Sequence, residues 1–262
     1  MKKQATLIYP KEKLGVESVV NCIAHRDEES GREQSLREHL TGTAKKAEEF
    51  SAVIGAPELG RLCGLLHDIG KYSVKFQRRI RGSNEKVDHS TAGALEAMRL
   101  RNVPAAFCIA GHHSGLPDLG NRKTALPEDG TFYGKISRKA GRDIEDYSAY
   151  SSEIAVQEAK IPENFAKDNQ SAFFFIRMLY SCLVDAAYLD TEKFVSNGRI
   201  VRGGYAGIEE LAAMLDRYIS PWWDAKNELN EKRTKILRAC LGAAGADRGL
   251  FALIVPTGGG KT

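Results

Sequence analysis

The sequence predicts an all-α domain followed by a short α/β fragment. Apolar residues recur at helical spacing through most of the chain, and strand signals are nearly absent before Leu250 to Val255. Near Ser220-Pro221-Trp222-Trp223 the pattern shifts to a charged helix, a loop, and an apolar strand running into TGGGKT. The expected organisation is an N-terminal extension over 1–20, a helical domain over 21–222 and the start of a second domain over 223–262.

The elements follow in order. Ser35 followed by Glu38 is a capping box that opens a helix to about Ile54. Further helices are expected over Glu58–Ile69, Ser90–Leu100, Pro104–Ala110, Ser171–Leu189, Ile208–Tyr218 and about Asn227–Leu241. The stretch 114–170 is polar and rich in Gly, Pro and charge, so it reads as an elaborated loop or an insertion with short helices. Phe173 to Leu189 is the longest apolar run; Arg177 and Asp185 inside it are costly in hydrocarbon, which points to a buried helix and no membrane span.

Composition narrows the class without naming a chemistry. At 262 residues, 42% hydrophobic and 27% charged, the chain is that of an ordinary globular protein. A net charge of +4 is compatible with a nucleic-acid partner and does not demand one. Cys22, Cys63, Cys108, Cys182 and Cys240 form no C-x-x-C pair, as expected of buried thiols in a reducing cytoplasm. The N-terminus shows no apolar stretch of signal-peptide length.

Chemistry concentrates in histidine and aspartate. LLHDIGK ends an apolar helix, and adjacent His67 and Asp68 project about 100° apart there, so one can face a cation while the other reaches between two. Lys71 overhangs the same face, and Gly70 lets another segment pass close. His39, His89, His112 and His113 occupy helix positions or ends, with Ser90 or Thr91 as a cap beside His89. Arg177, Ser181 and Asp185 form one polar stripe on an apolar rod, and a buried carboxylate needs a partner or a metal. Asp185 is therefore expected to point inward. His25, outside any such pattern, reads as an ordinary histidine.

Imidazole mixed with carboxylate suits iron, manganese, cobalt, nickel or zinc better than magnesium. Six or seven ligands exceed the need of one ion, so two divalent ions sharing Asp68 is the natural count. Ions about 3.5–4 Å apart activate water and clamp both moving oxygens of a phosphodiester, with Lys71 offsetting charge on the phosphoryl oxygens.

In GREQSLREHL (31–40), LLHDIGKYSVKFQRR (65–79), DHSTAGA (88–94), GHHSG (111–115), LVDAAYLDTE (183–192) and VPTGGGKT (255–262), the chain resembles the HD nuclease domain of the type I CRISPR-associated helicase-nuclease, closest to subtype I-C. The resemblance implies an HD helical bundle with a dinuclear site. It assigns one ion to His39, His67, Asp68 and Asp185 and the other to Asp68, His89, His112 and His113. It implies cleavage of single-stranded DNA after recruitment by a crRNA-guided surveillance complex. One departure is Ala187, where the family often carries a second aspartate.

The segment TGGGKT resembles the phosphate-binding loop of a RecA-like helicase, through Gly258, Gly259, Gly260, Lys261 and Thr262. No acidic metal-binding strand follows, so the site is incomplete, ATP and magnesium belong to a longer protein, and the chain is expected to be a fragment. After the doublet, Lys75, Phe76, Arg78, Arg79 and Arg81 mix cations with an aromatic and suit a single strand. Lys135, Arg138, Lys139 and Arg142 are balanced by nearby acids and read as a solvated face. Rival readings are an HD phosphohydrolase acting on nucleotides or cyclic dinucleotides, and a non-catalytic recruitment module. An inhibitor protein is a further conceivable partner.

Overall fold

The computed structural model describes residues 21–163, 165, 167–200 and 202–259. The expected N-terminal extension and Gly260, Lys261 and Thr262 lie outside them. The described chain divides into two compact units after Ile200, earlier than the boundary near residue 222 suggested by composition.

The first unit opens on a feature absent from the sequence reading, an antiparallel hairpin of β1 (Ile23–Arg26) and β2 (Glu33–Ser35). Its turn closes through Gly31, at φ +69°, donating to the Asp27 carbonyl. α1 (Leu36–Ser51) follows with the expected capping box: Glu38 N–H donates to Ser35 Oγ, and the Glu38 carboxylate accepts from Ser35 N–H. α2 (Pro57–Leu66) starts on proline, whose missing N–H costs nothing in a first turn. It gives way to a 3-10 turn, Ile69–Tyr72, and to α3 (Val74–Arg79), capped by Ser73. α4 (Ser90–Arg99) and α5 (Val103–Gly111) follow. The stretch 114–170 is irregular as expected, holding α6 (Phe132–Ser137) and a 3-10 turn, Ser148–Ser152. α7 (Asn169–Val195), capped by Asp168, closes the unit.

α1 and α2 meet at unusually short range because α2 carries glycine where it crosses α1. A Cβ on Gly64 would strike the backbone of Ala44 and sit 2.9 Å from Thr43 C; one on Gly60 would strike the Ala47 carbonyl and Ser51 Oγ. Backbone cannot yield as a side chain does. Gly64→Ala is therefore expected to cost about 1–3 kcal/mol or more through overpacking, read as a lower melting temperature. Leu40, Leu59, Leu62, Leu66, Ile109, Leu179 and Leu183 fill the core shared by α1, α2, α5 and α7.

α7 corrects an expectation. It is half-buried, not buried: Leu179, Cys182, Leu183, Ala186 and Asp190 face in, while Phe173, Phe174 and Tyr188 are exposed. Arg177, Ser181 and Asp185 are exposed too. Their four-residue spacing does place them on one face, but it is the outer one, where water solvates them freely. By length and composition alone, α7 is the one helix among the described residues able to cross a membrane.

The second unit contains α8 (Ile208–Ile219), a 3-10 turn Ser220–Trp223 and α9 (Glu228–Ala243). Asn227 caps α9, and the Arg238 guanidinium lies 4.5 Å from the Trp223 ring centroid. The expected strand over 250–255 does not form. No neighbouring strand pairs with it among the described residues, and Leu250, Phe251, Leu253 and Ile254 stay exposed. Gly258 turns at φ +85°.

Candidate metal centre

α2 ends where its chemistry begins. His67 caps the helix, and Asp68 leaves helical geometry at φ −117°. Both are buried at the centre of the first unit. The two oxygens of Asp68 face different histidines. Oδ2 lies 3.4 Å from His67 Nε2 and 3.5 Å from His39 Nε2. Oδ1 lies 3.3 Å from His112 Nε2, 3.6 Å from His89 Nε2 and 3.8 Å from His113 Nε2. Two ligand clusters result, His39–His67–Asp68 and Asp68–His89–His112–His113, and each can hold a metal ion.

The far side of each buried ring fixes which nitrogen faces in. His39 Nδ1 meets Asp190 Oδ2 at 2.9 Å, His67 Nδ1 meets the Gly64 carbonyl at 2.9 Å, and His112 Nδ1 meets the Ile109 carbonyl at 2.8 Å. A carbonyl only accepts, so the protons of His67 and His112 sit on Nδ1 and their Nε2 lone pairs turn inward. His39 Nε2 and His67 Nε2 then stand 3.2 Å apart, and His89 Nε2 and His113 Nε2 only 2.6 Å apart. Facing lone pairs at such distances repel unless a proton or a metal cation lies between them. Asp68 Oδ1 and His112 Nε2 are buried without a hydrogen bond, the condition expected of ligand atoms aimed at a cation.

Charge supports the same arrangement. Burial alone would raise the Asp68 carboxyl, but Lys71 and the surrounding histidines hold it well below the usual carboxylate range. Burial pushes His67 down to about 4 and His113 to about 3, and it lowers His89, so these imidazoles are neutral at pH 7 as ligands must be. His39 moves the other way: although burial opposes it, hydrogen bonds to Asp190 and Asp68 favour its cation.

Lys71 is buried, with Nζ 2.9 Å from Asp68 Oδ2 and donating to the Ala24 carbonyl at 3.3 Å. It braces the aspartate and ties β1 to the centre. Gly70 allows the expected close passage, since a Cβ there would strike the backbone of His89. The cap beside His89 is Asp88, which accepts from Ser90 and Thr91 N–H, where Ser90 or Thr91 was expected.

Asp185 does not join the cluster; it is exposed on the outer face of α7. The carboxylate that α7 turns inward is Asp190, held by His39 and by Gln34 Nε2 at 2.8 Å. The inward series Leu179, Leu183, Ala186, Asp190 carries the signal, one helical stripe ending in a carboxylate. His25 also reaches the site, edge-on to His39 with ring centroids 4.8 Å apart and Nε2 3.2 Å from Thr191 Oγ1. Asp190→Asn is expected to weaken metal binding by about 10–100-fold, the usual effect of losing a carboxylate behind a ligating histidine. Asp185→Asn should leave it unchanged; titrating Mn2+ into both variants checks the pair.

The segment after the doublet is mostly engaged. Phe76 is buried against the His89 ring, so it is not free to stack on a base. Lys75 pairs with Glu145 at 3.1 Å, Arg78 with Glu85 at 3.3 Å, and Arg81 donates to the carbonyls of Gln77 and Asn21. Arg79 is exposed and has no ion pair among the described residues.

With this geometry in place, one comparison bears on its chemistry. Residues 36–150 match the family model of the HD domain, spanning His39 through His113 and ending before α7. The match implies a metal-dependent phosphohydrolase, consistent with the His/Asp clusters. No curated protein matches the chain.

Proposed function

We propose that this chain is a nuclease that hydrolyses phosphodiesters of single-stranded DNA at a two-ion HD site, in the setting of a CRISPR surveillance complex and an attached helicase. The observation that carries the two-ion site is Asp68, whose two oxygens face two separate imidazole sets. The motifs around GREQSLREHL, GHHSG and TGGGKT support the DNA setting.

His39, His67 and Asp68 would hold one divalent ion and Asp68, His89, His112 and His113 the other. Such ions lower the pKa of water and polarise the phosphodiester. Asp68 fixes the spacing of the two halves, and Lys71 keeps its carboxylate ionised. Asp190 orients His39, and the Gly64 and Ile109 carbonyls orient His67 and His112. Three protein ligands in the first half leave open positions for water and substrate. Borderline imidazole nitrogens together with a hard carboxylate favour manganese, iron, cobalt, nickel or zinc.

A second reading, hydrolysis of nucleotides, is favoured by the internal pairing of Lys75, Arg78 and Arg81. Incubating the chain with circular single-stranded DNA, nucleotides and cyclic dinucleotides across a metal panel separates the two. Metal-dependent opening of the circle is the expected result. Hydrolysis of nucleotides with intact DNA would establish the second reading, and metal binding with no hydrolysis would mark a recruitment module.

A further inference from the structure

The insertion between α5 and α7 grips one half of the metal cluster at two points. Lys135 on α6 donates to the Ala110 carbonyl at 2.5 Å, at the end of the helix that delivers His112 and His113. Three residues on, Arg138 forms an ion pair with Asp88, donates to Thr91 Oγ1 at 3.3 Å, and is itself anchored through Nε to the Pro127 carbonyl at 2.6 Å. Asp88 immediately precedes His89 and accepts from Ser90 N–H at 3.1 Å, Thr91 N–H at 3.2 Å and Thr91 Oγ1 at 2.5 Å.

α6 is seated firmly enough to transmit this grip. A Cβ on Gly134 would lie 2.6 Å from Asp129 Cβ and 2.9 Å from the Leu126 carbonyl, so the helix rests on the 126–129 turn. The other half is braced from elsewhere: Asp190 of α7 holds His39, and the Gly64 carbonyl of α2 holds His67.

We infer that Lys135 and Arg138 are positioning residues that keep His89 in register with His112 and His113, so that the insertion sets the metal affinity of that half alone. The inference rests on the two-ion reading above. Sequence balance made these cations look like a solvated face, but both are partly buried and directed at the backbone and carboxylate flanking ligands.

The test is calorimetric titration of Mn2+ into the metal-free chain, as wild type, Arg138→Gln, Arg138→Lys and Lys135→Met with Arg138→Gln. The wild type should bind in two steps. The double variant should weaken one step by about 10–100-fold and leave the other unchanged. Arg138→Lys, which keeps the charge facing Asp88, should recover part of the loss. If circular dichroism shows the double variant unfolded, Arg138→Gln is judged by the same criterion. Two wild-type steps with neither weakened in the variant, both weakened equally, or no recovery by lysine would overturn this inference and leave the two-ion reading standing. A wild type that binds fewer than two ions would overturn the reading itself.

Discussion

Asp68→Asn is expected to abolish metal binding in both halves at once and to lower any metal-dependent hydrolysis by more than the roughly 100-fold that losing an outer partner of a ligand can cost. The reason is geometric: one carboxylate supplies a donor atom to each cluster, with Oδ2 on the His39 and His67 side and Oδ1 on the side of His89, His112 and His113. Asparagine keeps the shape, so the fold should survive, but its neutral amide cannot offset two cations. Substituting a histidine of one cluster should spare the other cluster's ion. Metal content by elemental analysis, taken alongside circular dichroism, separates the two patterns. An Asp68→Asn variant that retains one tightly bound ion would show that the halves are independent.

The second large effect is on stability. Phe76→Ala is expected to cost about 3–5 kcal/mol, the range for truncating a buried phenylalanine. The ring is 7% exposed, lies 5.0 Å from the His89 ring, and sits under the Lys71 ammonium at 5.5 Å. Its loss opens a cavity beneath the His89 ring and beside the lysine that braces Asp68. Denaturant unfolding of the metal-free protein measures the cost. A wild-type unfolding midpoint combined with weaker single-strand binding would instead place Phe76 on the DNA path.

Much of the helical framework was legible because its signals are local. The Ser35–Glu38 capping box, the proline starting α2 and the 3.6-residue periodicity of α1, α2, α4 and α5 each act within a few residues. The clustering of His39, His67, Asp68, His89, His112 and His113 as candidate ligands was legible because imidazole gathered around carboxylate is chemically unusual. The α7 carboxylate was not, because a polar stripe on an apolar helix looks the same whether it faces a metal or water. What separates Asp185 from Asp190 is the side that α7 turns toward α1, a tertiary fact. The β1–β2 hairpin escaped for a similar reason. β1 is held by Gln77, which donates to the Ile23 carbonyl and accepts from Ile23 N–H, and by the Lys71 bond to Ala24. These contacts cross more than forty positions, beyond any local pattern. The expected strand over 250–255 shows the converse, an apolar run that lacks a pairing partner and forms no strand.

The most direct test of the account is electron paramagnetic resonance of the chain loaded with Mn2+. A carboxylate bridging two ions about 3.5–4 Å apart couples their spins. The account predicts two ions per chain and a magnetically coupled signal that disappears in Asp68→Asn. One ion per chain, or two ions with uncoupled signals, would contradict it.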